Sequence, residues 1–305
     1  MKTLLSLISR LMAIVITMVV VFAACKKQDD TSGATGQEEF ATATAQSDAT
    51  AEVVFDDVFD NVMGVNTEVG IGGTGVFGRA IVSPTSGPSG NRLDGVDSIS
   101  CYTVTITQLS SANRFPLQIV IDFGTGCTGK DGTIRKGKII AVYTGKLTTP
   151  GNSVTVTFDG YYVDDIKVEG SHKISNTSTL DKKSFTTVVS NAKLSQSADN
   201  FIQWNSNKTI TQTDGMTTPL IAIDDVFNIT GQANGAVQLS GKYFEWSATI
   251  TAPLVKRFSC RWISKGSLTL SKGNAGVAVL DYGPGTCDNK ATFSVNGAVH
   301  EITLH

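Results

Sequence analysis

Several short stretches of this chain hold residues in patterns that chemistry uses, and each can be weighed on spacing. Gly124-Thr125-Gly126-Cys127-Thr128-Gly129-Lys130 comes after an apolar run and nearly spells a phosphate-binding loop. A P-loop needs Ser or Thr after the lysine to hold magnesium, and a helix whose first amides cradle phosphate. Here the next residue is Asp131, and Thr133–Val142 alternates as a strand, so nucleotide binding is not expected. Gly73-Thr74-Gly75-Val76-Phe77-Gly78 matches G-x-G-x-x-G, but Pro, Ser and Gly at 83–91 replace the helix that a dinucleotide site requires. It reads as a flexible entry into a β-rich body. His300-Glu301-Ile302-Thr303-Leu304-His305 falls one residue long of the H-E-x-x-H zinc pattern, and on a strand its two imidazoles would face opposite ways. No metal is therefore assigned there.

Carboxylates and aromatics leave more room. Asp164/Asp165 and Asp224/Asp225 are adjacent acid pairs near Gly and Asn, which suits turns. Neighbouring strand residues face opposite ways, so neither pair alone makes the two-carboxylate site of a glycoside hydrolase; such a site would need the fold to bring them together. As hard oxygen ligands in loops they would also suit calcium, although no D-x-D-x-D-G loop is present. Tyr161, Tyr162, Trp204, Tyr243, Trp246 and Trp262 are candidates for a sugar-stacking surface, against the commoner use of such residues in a β core. Trp204 and Trp262 join the four aspartates as candidate ligand contacts. With three histidines in the chain, no Ser/His/Asp or Cys/His set suggests itself, and no catalytic residue is assigned.

The elements that must carry these residues are mostly strands. Val54, Phe55, Val58, Phe59, Val62 and Met63 recur at helical spacing, with Glu52, Asp56, Asp57 and Asp60 between them. One amphipathic helix is predicted over 51–64, ending at Gly64 and packed on the rest. Beyond it the period becomes two: Tyr102, Val104 and Ile106 alternate with threonines, as do Val154, Val156 and Phe158, then Phe293 and Val295, then Ile302 and Leu304. Threonine-rich alternation bounded by Gly, Asn and Asp is the pattern of antiparallel strands. The predicted fold is all-β, an elongated antiparallel meander folded on itself over 65–305. Two tandem β-sandwich domains are the alternative.

An internal echo bears on the cysteines. Ile119–Lys130, IVIDFGTGCTGK, returns as VLDYGPGTCDNK at Val279–Lys290. Weaker echoes link Asp164-Asp165-Ile166 with Asp224-Asp225-Val226, and the strand after Trp204 with that after Trp262. Four cysteines besides Cys25 allow three pairings. Cys101 and Cys260 precede Cys127 and Cys287 by similar distances in matched contexts, which favours Cys101–Cys127 and Cys260–Cys287.

The N-terminus carries an address. Lys2 and Arg10 flank the start of an apolar run, Leu11–Ala24, too short to span a bilayer as a helix. It ends at Phe22-Ala23-Ala24-Cys25, which resembles a lipobox, so 1–24 is expected to be a lipoprotein signal peptide and Cys25 the lipidated residue. Residues 25–50, polar and small, are expected to form a flexible tether. Without Lys2 and Arg10, the 25 basic residues fall to 23 against 27 acidic ones, a net charge of −4. With no basic stripe, nucleic acid is not an expected partner.

The runs DFGTGCTGKDG (122–132), VYTGKL (142–147), VEGSHKI (168–174), IQWNS (202–206), GTCDNKATFSVNG (285–297) and HEITL (300–304) resemble uncharacterised envelope lipoproteins of Bacteroidota. The resemblance implies a lipid-anchored protein of the outer membrane, on its surface or periplasmic face, and carries no activity or ligand. The expected role is a non-enzymatic binding, adhesion or scaffold module whose ligand is a glycan, a lipid or a protein. A carbohydrate-active hydrolase is the alternative.

Overall fold

In a computed structural model, residues 29–77, 101–129, 131–218 and 222–304 are described. The signal peptide, Cys25, the 83–91 stretch, Lys130 and His305 lie outside the described residues. The chain divides into one unit over Met1–Phe40 and another over Ala41–His305. Among the described residues one α-helix is present, α1 (Asp29–Gly64). Among the described residues no helix is long and apolar enough to cross a membrane.

The described residues of the second unit form an antiparallel meander of fourteen strands in one sheet, so the tandem-sandwich alternative does not hold. In chain order they are β1 (Thr103–Gln108), β2 (Leu117–Asp122), β3 (Cys127–Thr128), β4 (Ile134–Tyr143), β5 (Ser153–Val163), β6 (Ile166–Asn176) and β7 (Ser184–Ser195). Then come β8 (Phe201–Asp214), β9 (Val226–Leu239), β10 (Lys242–Arg257), β11 (Cys260–Lys272), β12 (Ala275–Pro284), β13 (Lys290–Val295) and β14 (Ala298–Thr303). Each pairs with its neighbour in sequence, except that β2 pairs directly with β4, and β3 pairs with the start of β4. Alternation puts Leu117, Ile119 and Ile121 of β2, and Trp204, Ser206, Lys208, Ile210 and Gln212 of β8, on the inner face.

The sheet rolls around α1. Phe55 packs against Phe158 of β5, His172 of β6 and Trp204 of β8. Phe59 lies against Phe185 of β7 and Phe258 of the β10–β11 turn. Tyr143 of β4 donates a hydrogen bond to the Val62 carbonyl at 2.8 Å, and Lys256 of β10 reaches Asp60. Contacts to strands this far apart in the sheet require it to curl. Asp164, on the β5–β6 turn, accordingly comes within 3.6 Å of Arg261 at the start of β11.

The curl tracks a line of irregularities across neighbouring strands, where the pairing register shifts at Lys136/Lys138, Thr157/Tyr162, Glu169/Ser171 and Val189/Ala192. Bulges of this kind bend a sheet and increase its twist. Gly137 shows why only glycine serves there: its φ is +72°, and a Cβ would stand 1.9 Å from the Gly160 carbonyl oxygen. The crease continues through Asn191 (φ +53°), whose amide donates to Asn205 Oδ1 at 2.8 Å.

Three expectations need correction. The stretch 25–50 is not a tether throughout: it is helical from Asp29, and Ala41, Ala43, Ala45 and Ala49 are buried. Small side chains bury little each, but they let a helix thread a narrow interior, and alanine is the best helix former. Nor is the helix amphipathic with a wet acidic face over 51–64; Glu52 and Asp56 are buried, and so is Asp48 one turn earlier. The Gly-rich segment after Gly64 is an ordered cap. Ile71 and Gly72 donate backbone N–H groups to the Met63 carbonyl and Gly73 donates to that of Gly64, satisfying the open end of the helix.

Candidate functional site

Helix spacing sets Asp48, Glu52, Asp56 and Asp60 four residues apart, so one stripe of carboxylates runs along α1, with Asp57 beside it. Inside a protein such groups need partners. The sheet supplies them from inward positions. Asp48 Oδ1 accepts from the indole N–H groups of Trp204 (3.0 Å) and Trp246 (3.1 Å). Lys208 pairs with Glu52. Lys256 Nζ stands 3.0 and 3.1 Å from the two oxygens of Asp60 and 3.7 Å from Asp56. Arg135 grips Asp57 with Nε (3.0 Å) and a second nitrogen, and takes Asp131 as well (2.6 Å). Tyr161 donates its hydroxyl to Asp57 at 3.3 Å.

Five helix carboxylates thus meet three sheet cations. Burial drives the excess toward protonation: it raises Asp60 to about 7 against the pull of Lys256, and raises Asp56 in the same way. Burial also lowers the Lys208 ammonium to about 8, with Asp48 pulling the other way. Asp131, on the rim, moves down because hydrogen bonding to Arg135 and its charge outweigh burial. A void of about 20 Å³ lies among Glu52, Asp56, His172, Ser206 and Lys208, room for one water molecule. His172 Nδ1 is buried without a partner among the described residues, and burial holds that imidazole neutral, its pKa pushed down to about 3. This is a lock between helix and sheet, with its polar groups turned toward one another.

The opening that faces solvent lies where the helix enters the sheet. Ala43, Gln46, Ser47 and Thr50 of α1 form one wall of a groove of about 180 Å³, and Ile166, Leu194, Phe201, Ile202, Val237 and Leu239 its apolar floor. Gln196, Asn200 and Gln238 complete the rim. Among the described residues no charged one lines it. Gln46 is exposed between the buried Ala45 and Ser47. The Thr50 hydroxyl is committed to the Gln46 carbonyl (2.8 Å), while the side-chain amides of Gln46, Gln196 and Gln238 have no protein partner among the described residues. The rim is pinned: Asn200 Oδ1 accepts from the Ser240 amide at 3.0 Å, joining the β7–β8 and β9–β10 turns.

The predicted site residues do not converge. Asp164 sits at φ +51° in the β5–β6 turn and accepts from the Ile134 amide, with Asp165 exposed beside it. Asp224 takes the Thr218 hydroxyl and Asp225 the Gln212 amide, at the loop before β9. Asp164, Asp224 and Asp225 are thus turn-fixing carboxylates with protein partners. Among the described residues no group of three or more His, Cys, Asp or Glu is gathered as a metal site. Trp204 is a core residue bound to Asp48, and Trp262 lies beneath the Arg261 guanidinium at 4.5 Å. The two disulfides are Cys101–Cys127 and Cys260–Cys287, as the spacing suggested. Lys208, Lys256 and Arg135 went unread, although their parity within alternating strands marks them as inward.

Fold and site together define an all-β protein, a rolled meander around a helix fixed by buried ion pairs, with a neutral groove at its mouth. No protein-family model, curated protein or solved structure matches the chain.

Proposed function

We propose that this chain is a lipid-anchored bacterial envelope module that works by binding, and that its groove takes an uncharged ligand with an apolar face and a hydroxyl-bearing edge, such as a sugar ring of an envelope glycan. One observation carries the reading: the groove sets three side-chain amides, unpartnered among the described residues, over an apolar floor, with no charged residue in its described lining. That is the lining an uncharged, orientable ligand requires. The carboxylates along α1, by contrast, are committed to Lys256 and Arg135 inside the sheet, where general acid–base work on a glycan would lack access. The address rests on the Leu11–Ala24 run before Cys25.

Calorimetric titration with soluble oligosaccharides from the cell envelope tests the groove. Saturable binding that Gln46→Leu and Gln238→Leu abolish, with unchanged circular dichroism, is expected. Binding indifferent to both substitutions would overturn it. For the anchor, labelled palmitate should enter the wild type and not Cys25→Ala, and protease treatment of intact against permeabilised cells then separates surface from periplasmic display.

A further inference from the structure

Strand β1 is exposed at all six positions, on both faces. Val104 lies opposite Ile121 and Ile106 opposite Ile119, so both continue the core face of β2. The two β2 residues are fully buried, yet Val104 is 38% and Ile106 47% exposed, and Leu109 beyond them 51%. The apolar inner face therefore runs out onto β1 uncovered. Among the described residues its far edge has no paired strand.

The backbone phase of that edge is fixed by one bond. Leu109 donates its N–H to the Pro116 carbonyl at 3.0 Å, across the β1–β2 pair. Alternation then points the N–H and C=O of Thr103, Thr105 and Thr107 at β2, and those of Val104, Ile106 and Gln108 at the open edge. Edges normally carry a charge, a proline or a bulge that blocks addition of another strand. TVTITQ carries none and pairs with β2 without a register shift. The other edge of the sheet differs: β14 holds Glu301, paired with Lys290 at 2.6 Å.

The segment is also its own complement. Set antiparallel about a two-fold axis at Thr105, Val104 of one copy faces Ile106 of the other, and Thr103 faces Thr107. Threonine pairs fall on one face and β-branched apolar pairs on the other, both favourable cross-strand combinations. The same register makes Val104 and Ile106 the hydrogen-bonded pair, as the outward backbone phase demands. We propose that β1 is a self-association edge, joining two copies of this chain antiparallel through Thr103–Gln108 into one continuous sheet with two-fold symmetry. The second copy covers Val104 and Ile106, which the fold itself leaves half exposed.

Cysteine cross-linking on the full-length chain tests the register. Thr105 faces its own copy in a non-hydrogen-bonded pair, where Cα atoms stand about 4.5 Å apart, within disulfide reach. Thr105→Cys is expected to give a covalent dimer on non-reducing gels. Thr107→Cys alone is not, because its mate is Thr103, whereas chains carrying Thr103→Cys and Thr107→Cys should cross-link when co-expressed. Thr105→Lys, which sets two ammonium groups face to face on an exposed surface, should abolish the dimer in sedimentation velocity with the fold unchanged. A wild type that sediments as a monomer, or Thr105→Cys and Thr107→Cys cross-linking equally, would overturn the proposal. A monomer whose β1 amides resist hydrogen exchange would assign the edge to a segment of the same chain, and a stoichiometric complex with a different protein through β1 to strand addition by that partner; either sinks self-association.

Discussion

His172 shows how a single buried side chain sets the response to acid. Its imidazole meets Phe55 edge-on at 5.6 Å, and burial lowers its pKa from 6.5 to about 3. A depressed folded value means that its contribution is complete above pH 6.5 and is lost as pH falls toward 3, because the unfolded chain takes the proton first. A full pH unit in that window is worth about 1.4 kcal/mol, and the unfolded histidine is half protonated at pH 6.5, so about 2 kcal/mol goes between pH 6.5 and 4.5. His172→Gln should flatten the fall in urea midpoint over that range by this amount. Asp60 acts with the opposite sign. Its folded value lies near 7 against 3.8, so its contribution is greatest in acid and fades as pH rises toward 7. Asp60→Asn should therefore steepen the loss on acidification, and the two variants measured together separate the two contributions. Lys256 is the cation on which Asp56 and Asp60 both depend. Lys256→Met leaves those carboxyls unpaired and should cost about 3–5 kcal/mol. Adding Asp56→Asn and Asp60→Asn should recover most of it, a coupling that urea denaturation of the three variants would read.

At the scale of elements, periodicity carried the strands and the C-terminal part of the helix into view, and composition misled about the rest. Thr103–Gln108 and Ser153–Val163 alternate plainly because each strand has its own two faces, a local property. The start of α1 was not legible, because Ala41 to Thr50 bury little per residue and their helix gains its stability from a sheet built later in the sequence. The acids of the stripe looked like a solvated face for the same reason: their cations are Lys208 and Lys256, more than 150 residues away in sequence. The groove was invisible for a further reason. Gln46, Gln196 and Gln238 come from separate elements, and nothing about a lone glutamine marks it. The crease hides as ordinary glycine content, although Gly137 makes it testable. Gly137→Ala meets both a positive φ and the Gly160 carbonyl, whereas Gly273→Ala meets a φ of +59° with open space around it. The hairpin substitution should cost about 1–2 kcal/mol. The crease substitution should exceed it by at least about 1 kcal/mol, a difference that urea midpoints resolve.

Across the whole molecule, order in the sheet copies order in the chain, so strand pairing by itself closes nothing. What holds β4 to β10 is the helix between them, through Asp57–Arg135 and Asp60–Lys256. Stability should therefore be concentrated around α1 and fall toward β1, whose six residues are all exposed. The disulfides probe that gradient because they close loops of nearly equal length, with separations of 26 and 27 residues. By loop entropy alone, removing either should cost about 3.5 kcal/mol. Cys260–Cys287 ties β11, whose Ile263, Leu268 and Leu270 are buried, to the loop after β12, so Cys260→Ser/Cys287→Ser should show nearly that full loss. Cys101–Cys127 ties the exposed start of β1 to β3. Without it, β1 can leave the sheet while the core stays folded, so the native state gains back part of the freedom that the unfolded chain gains. Cys101→Ser/Cys127→Ser should cost less in global denaturation. Its hydrogen exchange should show β1 amides losing protection while those of β8 and β9 keep theirs. Equal losses for the two pairs, with β1 as protected as β8, would mean that the edge strand folds as one unit with the helix-centred core.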